Sequence, residues 1–145
     1  MLKELAEKFE DKTVILASTS KPRKMLFEQQ GMPHILTMDS KFVEDLPKES
    51  FASPSLYVKA TSHGKILATL DILDKEGSLQ KDKEYVVICC DTVVEKDGKI
   101  YEKPEDLEQQ KSWLRFFSKN WVDVISWVNL CVVRNGERKF FELES

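Results

Sequence analysis

The run VVICC, Val86 to Cys90, narrows the fold more than any other part of this chain. It is apolar at every position, so neither alternating face of a strand built from it should meet water; that is the pattern of a central strand covered on both sides. VILA, Val14 to Ala17, reads as a second compact buried strand. Asp91 follows the first run directly and is expected at the strand's exit. Helical stretches lie between the strands. Leu2, Leu5, Ala6 and Phe9 mark a short first helix, and Pro22 suits the first turn of a second whose core face uses Met25 and Leu26 and whose stop is Gly31. Ser53 before Pro54 caps a long helix whose pattern runs from Leu56 to Leu73 despite Gly64, and Pro104 opens another along PEDLEQQKSWLRFF. His34 to Met38, Val122 to Val133 and Lys139 to Leu143 read as further strands. Asp97-Gly98 and Asn135-Gly136 are hairpin turn signals. The alternation is that of an α/β domain.

Length and charge bound the function. A chain of 145 residues with 41% hydrophobic content supports one core and one domain, residues 1–145. Its 22 basic and 25 acidic residues leave a net charge of -3, which argues against a nucleic-acid polymer as partner and requires any anion site to be local. No apolar stretch reaches the roughly 20 residues of a membrane span, and MLKELAEKFEDK is a charged amphipathic start rather than a signal peptide. The expected location is the cytoplasm. Cys89, Cys90 and Cys131 lack metal-ligand spacing and read as reduced core residues.

Polar residues where strands stop carry the chemistry, because ligands of open α/β sheets bind outside the carboxyl ends of strands, where helix N-termini favour anions. Ser18, Thr19 and Ser20 offer hydroxyls after VILA, and Arg23 adds a fork suited to phosphate oxygens. An ordinary capping loop with a solvated arginine explains the same pattern. Asp91 can bind a divalent cation, orient water, or simply form a turn before Thr92. Lys65 and Lys103 are unremarkable alone, as most lysines are solvated.

The order of these groups resembles the Maf family of nucleoside triphosphate pyrophosphatases. Leu16-Ala17-Ser18-Thr19-Ser20-Lys21-Pro22-Arg23-Lys24, reaching Gly31, is similar to the family's N-terminal signature. Tyr57-Val58 leading to Lys65, Asp91-Thr92-Val93-Val94 and Glu102-Lys103-Pro104 resemble three later motifs, and the likeness spans Thr13 to about Val133. It implies a mixed twisted sheet with flanking helices and a nucleotide cleft. It also implies hydrolysis of a nucleoside triphosphate to monophosphate and pyrophosphate, with the Asp-Thr-Val-Val form looking like the dTTP/UTP branch. By the same resemblance Asp91, Lys65 and Lys103 are catalytic, Ser18, Ser20, Lys21 and Arg23 bind substrate, and Asp91 with Glu44 holds Mg2+ or Mn2+. A homodimer is a further family trait.

The chain also departs from that pattern. Pro22 stands where the family has the first of two arginines, removing one bidentate donor that Lys21 replaces only as a point charge. Phe117-Ser118-Lys119-Asn120-Trp121-Val122 lacks the glycine and histidine of a later motif. Nothing corresponds to the family's C-terminal glycine-rich, glutamine-containing segment, so the chain is expected to be either a fragment or alternative product, or a shortened form whose pocket is half open. The alternative is therefore a catalytically impaired module that binds nucleotide or a protein partner, with Trp113, Phe116, Phe117, Trp121 and Trp127 as its aromatic surface. Core packing is the competing role for those rings.

Overall fold

A computed structural model describes residues 4, 7–32 and 34–145. Six strands form one mixed sheet: β1 (Thr13–Ala17), β2 (Leu36–Met38), β3 (Glu84–Lys96), β4 (Lys99–Tyr101), β5 (Asp123–Arg134) and β6 (Glu137–Glu144). The described helices are α1 (Lys21–Gln29), α2 (Pro54–Lys75) and α3 (Leu107–Phe117), with one 3-10 turn at Lys48–Ser50. The order across the sheet is β2-β1-β3-β5-β6, with β4 also paired to β3. The β1 pairings with β2 and β3 are parallel and the remainder antiparallel. Leu2, Leu5 and Ala6 of the expected first helix lie outside the described residues. Phe9 packs against the apolar cluster of Val14, Leu16, Val86 and Ile88.

The two faces of the sheet are covered by different means. On one face, Ile66, Leu70 and Leu73 of α2 bury against Ile15, Ala17, Val87, Cys89, Cys131 and Val133; each such side chain contributes roughly 1.5–3 kcal/mol by leaving water. On the other, Phe27 of α1 and Met32 cover Val14, Leu16, Val86 and Ile88. Met25 and Leu26, expected on the core face of α1, are 54% and 58% exposed. Phe27 makes the contact instead. A nine-residue helix docks through whichever stripe its entry angle presents, and Pro22 with the Ser20 cap sets that angle.

Both hairpins form at the residues their turn signals indicate. Asp97 (φ 52°) with Gly98 (φ 80°) and Asn135 (φ 53°) with Gly136 (φ 80°) take the paired left-handed conformations of a type I′ turn. Ser53 caps α2 by accepting from the Leu56 amide. Asp106, not Pro104, caps α3 through the Gln109 amide at 2.7 Å, so Pro104 lies in the approach to that helix rather than in its first turn. Gly64 inside α2 has a steric reason: a Cβ there would lie 2.4 Å from the Phe42 ring. The segment between β2 and α2 is therefore laid closely over the helix.

The largest difference from the sequence reading concerns Asp91. The strand does not end there. β3 runs on to Lys96, and Asp91 pairs with Trp127 in the middle of a ladder from Glu84↔Arg134 to Glu95↔Asp123. What ends nearby is the other neighbour, since β1 pairs with β3 only as far as Leu16↔Ile88 and β4 begins at Val94↔Tyr101.

Candidate active site

That gap in β3's edge, between the last residue paired to β1 and the first paired to β4, is where most of the polar side chains singled out from sequence gather. A cleft of about 530 Å3 wraps it, lined by Ser18, Thr19, Ser20, Arg23, Glu44, Asp91, Thr92, Glu102 and Lys103. Asp91 belongs to the row facing α2, alternating with Cys89 and Val93, and Thr92 belongs to the opposite row. The open edge lets both rows contribute to one cavity.

Lys65 forms the centre of the α2 side. Its ammonium lies 2.7 Å from Asp91 Oδ1 and 2.9 Å from Glu44 Oε1. Burial opposes its charge, but the bonds to the two carboxylates overcome that and hold it above the ordinary lysine range. Asp91 is 6% exposed, and burial pushes its carboxyl above the usual carboxylate range against the pull of Lys65. Asp91 Oδ2 is buried without a hydrogen-bond partner. An orphaned buried carboxylate oxygen costs about 1–3 kcal/mol, which a ligand bonded there would offset.

The N-terminal wall is the loop between β1 and α1. Ser18 Oγ accepts from the Ser20 amide at 3.1 Å, and Ser20 in turn caps α1 by accepting from Arg23 N. The Arg23 guanidinium donates to the Cys90 carbonyl at 2.9 Å and to Thr92 Oγ1 at 3.2 Å. It thus satisfies a β3 carbonyl beyond the reach of β1, leaving its other N–H donors for an anion. Thr92 Oγ1 also lies 2.9 Å from Ser126 Oγ, so the chain of contacts reaches β5.

Of the residues singled out from sequence, Ser18, Ser20, Arg23, Glu44, Asp91 and Lys103 line the cleft, and Lys65 supports it from behind through Asp91 and Glu44. Lys21 is exposed at the start of α1 and is not among the lining residues. Sequence reasoning placed Tyr57 and Glu102 in motifs but missed that they meet, with Lys48, in the other wall: Tyr57 donates to Glu102 Oε1 at 2.8 Å, and Lys48 lies 2.5 Å from Glu102 Oε2. One signal could have found it. Tyr57, Thr61 and Lys65 recur at i, i+4 and i+8, which places them on one stripe of a helix.

The residues present fit a hard divalent cation that takes part of its coordination shell from outside the protein. Lys65 engages one oxygen of Asp91 and one of Glu44, so each carboxylate has a second oxygen, and that of Asp91 is the orphan. Among the described residues no group of three or more His, Cys, Asp or Glu could enclose a metal alone. Magnesium commonly takes one or two carboxylates and completes its shell with water and phosphate oxygens.

The aromatic residues divide. Trp113 and Phe117 pack edge-on against Tyr101, each with ring centroids at 5.2 Å, and Lys59 sits 4.7 Å above Trp127. Trp121 alone is nearly bare, at 94% exposure.

Comparison with known proteins identifies relatives of the chain. The sequence model of the family described as "Maf-like protein" matches residues 13–144. The chain is 39% identical over 105 residues to a dTTP/UTP pyrophosphatase of Schizosaccharomyces pombe, covering 72% of this chain and 42% of the relative. It is 39% identical over 110 residues to a dTTP/UTP pyrophosphatase of Saccharomyces cerevisiae (72% and 47%), and 34% identical over 119 residues to a nucleoside triphosphate pyrophosphatase of Dictyostelium discoideum (81% and 52%). The chain spans about half the length of these relatives, at 42%, 47% and 52%.

Proposed function

The chain belongs to the Maf family, and from that premise we propose that it hydrolyses a nucleoside triphosphate of the dTTP/UTP kind to the monophosphate and pyrophosphate. The observation that carries the reading is the convergence of Ser18, Ser20, Arg23, Asp91 and Lys103 on one cleft, with Lys65 bridging Asp91 and Glu44 behind it. A triphosphate brings several negative charges, and these hydroxyls and cations answer them from two sides. Ser18 and Ser20 stand at the helix N-terminus, where backbone amides also favour phosphate oxygens. Arg23 and Lys103 hold the chain of phosphates across the gap in the sheet edge.

Asp91 is the residue that acts on water. Burial raises its proton affinity towards that of a useful general base, and Lys65 fixes the orientation of its carboxylate. A divalent cation held by Asp91 and Glu44 would neutralise developing phosphate charge. A cytoplasmic nucleotide pool is the setting this reading implies.

One observation favours a second reading, a module that binds nucleotide without turning it over. Two Arg23 donors already serve β3, and Lys21 stays outside the cleft, so fewer phosphate donors remain than the family pattern supplies. A panel of nucleoside triphosphates with Mg2+ or Mn2+, scored for pyrophosphate against orthophosphate, separates the two. Pyrophosphate release from dTTP or UTP is the expected result. Saturable binding with no product would establish the second reading, and orthophosphate as the main product would overturn the first.

A further inference from the structure

Glu102 has no part in the chemistry above, yet it is the third carboxylate of the cleft and both its oxygens are engaged. The Tyr57 hydroxyl donates to Oε1 at 2.8 Å, and the Lys48 ammonium stands 2.5 Å from Oε2. Tyr57 is fixed by burial, and the exposed Lys48 is tied down by two contacts. Tyr57 is fully buried with its ring edge-on to Phe51 at 5.6 Å, and the Lys48 ammonium lies 5.6 Å above the Tyr57 ring centroid. Lys48 comes from the same segment that carries Glu44, and Tyr57 from the same stripe of α2 that carries Lys65.

The next residue after Glu102 is Lys103, which is exposed in the cleft and makes no ion pair among the described residues. A carboxylate beside a phosphate-binding ammonium is its nearest competitor, because two opposite charges within a few ångströms attract each other as well as either attracts a ligand. We infer that Tyr57 and Lys48 are positioning residues that keep Glu102 engaged and so leave the charge of Lys103 free for the phosphates of the substrate. This rests on the nucleotide reading for the identity of the anion. The consequence is specific: the Lys48 and Tyr57 contacts matter only while Glu102 is a carboxylate.

The test is a binding cycle that needs no turnover. Inorganic triphosphate with Mg2+ is titrated calorimetrically into the wild-type chain, Lys48→Met, Tyr57→Phe, and the doubles Lys48→Met/Glu102→Gln and Tyr57→Phe/Glu102→Gln, with melting curves for each. Each single change should weaken binding by roughly five- to tenfold, as expected for losing a partly buried charge contact. Each double should recover to within about twofold of wild type, since glutamine cannot compete for an ammonium as a carboxylate does. A purely structural clamp would not be rescued by Glu102→Gln. If Lys48→Met does not fold, the Tyr57 pair carries the same comparison, because it removes one oxygen only. Equal affinity in all variants, no recovery in folded doubles, or no binding by the wild type overturns the inference. Rescue of binding in a chain that releases no pyrophosphate from dTTP or UTP leaves the inference standing and removes the enzymatic reading. Turnover with no effect of the clamp variants does the reverse.

Discussion

The two halves of β3 are one strand with two fates. From Tyr85 to Ile88 it has β1 on one side and β5 on the other, helices over both faces, and a wholly apolar interior. From Cys89 to Val93 it keeps β5 but has no pairing on the other edge, and there the buried row admits Asp91 while Arg23 and Thr92 meet on the opposite face. The difference teaches that the site is made by the departure of a neighbour rather than by the end of a strand. β5 holds the backbone straight through the gap, so the Asp91 carboxylate sits on rigid ladder and still lines the cleft.

Changes that separate the halves should give different signatures. Asp91→Asn is expected to have the largest effect, lowering pyrophosphate release by about a thousandfold or more, equivalent to roughly 4 kcal/mol of barrier. The amide still accepts from Lys65, so the melting temperature should stay within a few degrees; unchanged turnover would remove Asp91 from the mechanism. Leu70→Ala acts on the covered half, where the side chain is fully buried against Val87 and Cys89. A loss of about 3 kcal/mol in urea unfolding is expected, with kcat per folded molecule little changed.

Ser62→Ala strikes the junction. Asn129, opposite Cys89 on β5, donates to Ser62 Oγ at 2.9 Å inside the core, and leaving that amide unpaired should cost about 1–2 kcal/mol. A stability equal to wild type would show that the polar pair is dispensable. Pro22→Arg should give the smallest change, a gain of roughly threefold in affinity for inorganic triphosphate from a second guanidinium. The same substitution should lower stability by about 0.5 kcal/mol through loss of a preset φ. No gain in affinity would mean that the N-terminal loop already has all the cation it can use.

Local features of the fold were legible in the sequence, and features set by distant partners were not. Asp97-Gly98 and Asn135-Gly136 demand left-handed backbone whatever surrounds them, and Ser53-Pro54 is a helix start on its own terms. Asp91 misleads because an apolar run ends there, while continuation of the strand depends on Trp127, a residue 36 positions later in the ladder. The exposed Met25 and Leu26 fail for a related reason: amphipathic spacing shows that a helix has a face, not what it meets. The cleft was readable in its first wall because Ser18, Arg23, Asp91 and Lys103 sit in ordered motifs. Tyr57 and Glu102 also stand in motifs, but Lys48 does not, and the contacts that join the three arise only through tertiary packing. The cysteines were read as core, and Cys89 and Cys131 are; burial lifts the Cys89 thiol to about 12. Cys90 is half-buried on the row facing away from α2.

Tyr57 and Lys65 leave α2 from one stripe, eight residues and therefore about 12 Å of helix apart, and each grips a carboxylate on a different side of the cavity. A helix is stiff over that length, so a small tilt or slide transmits to both walls in step, as a straightedge moves every mark on it. A tilt of this helix should consequently displace Glu102 and Asp91 together, instead of one before the other.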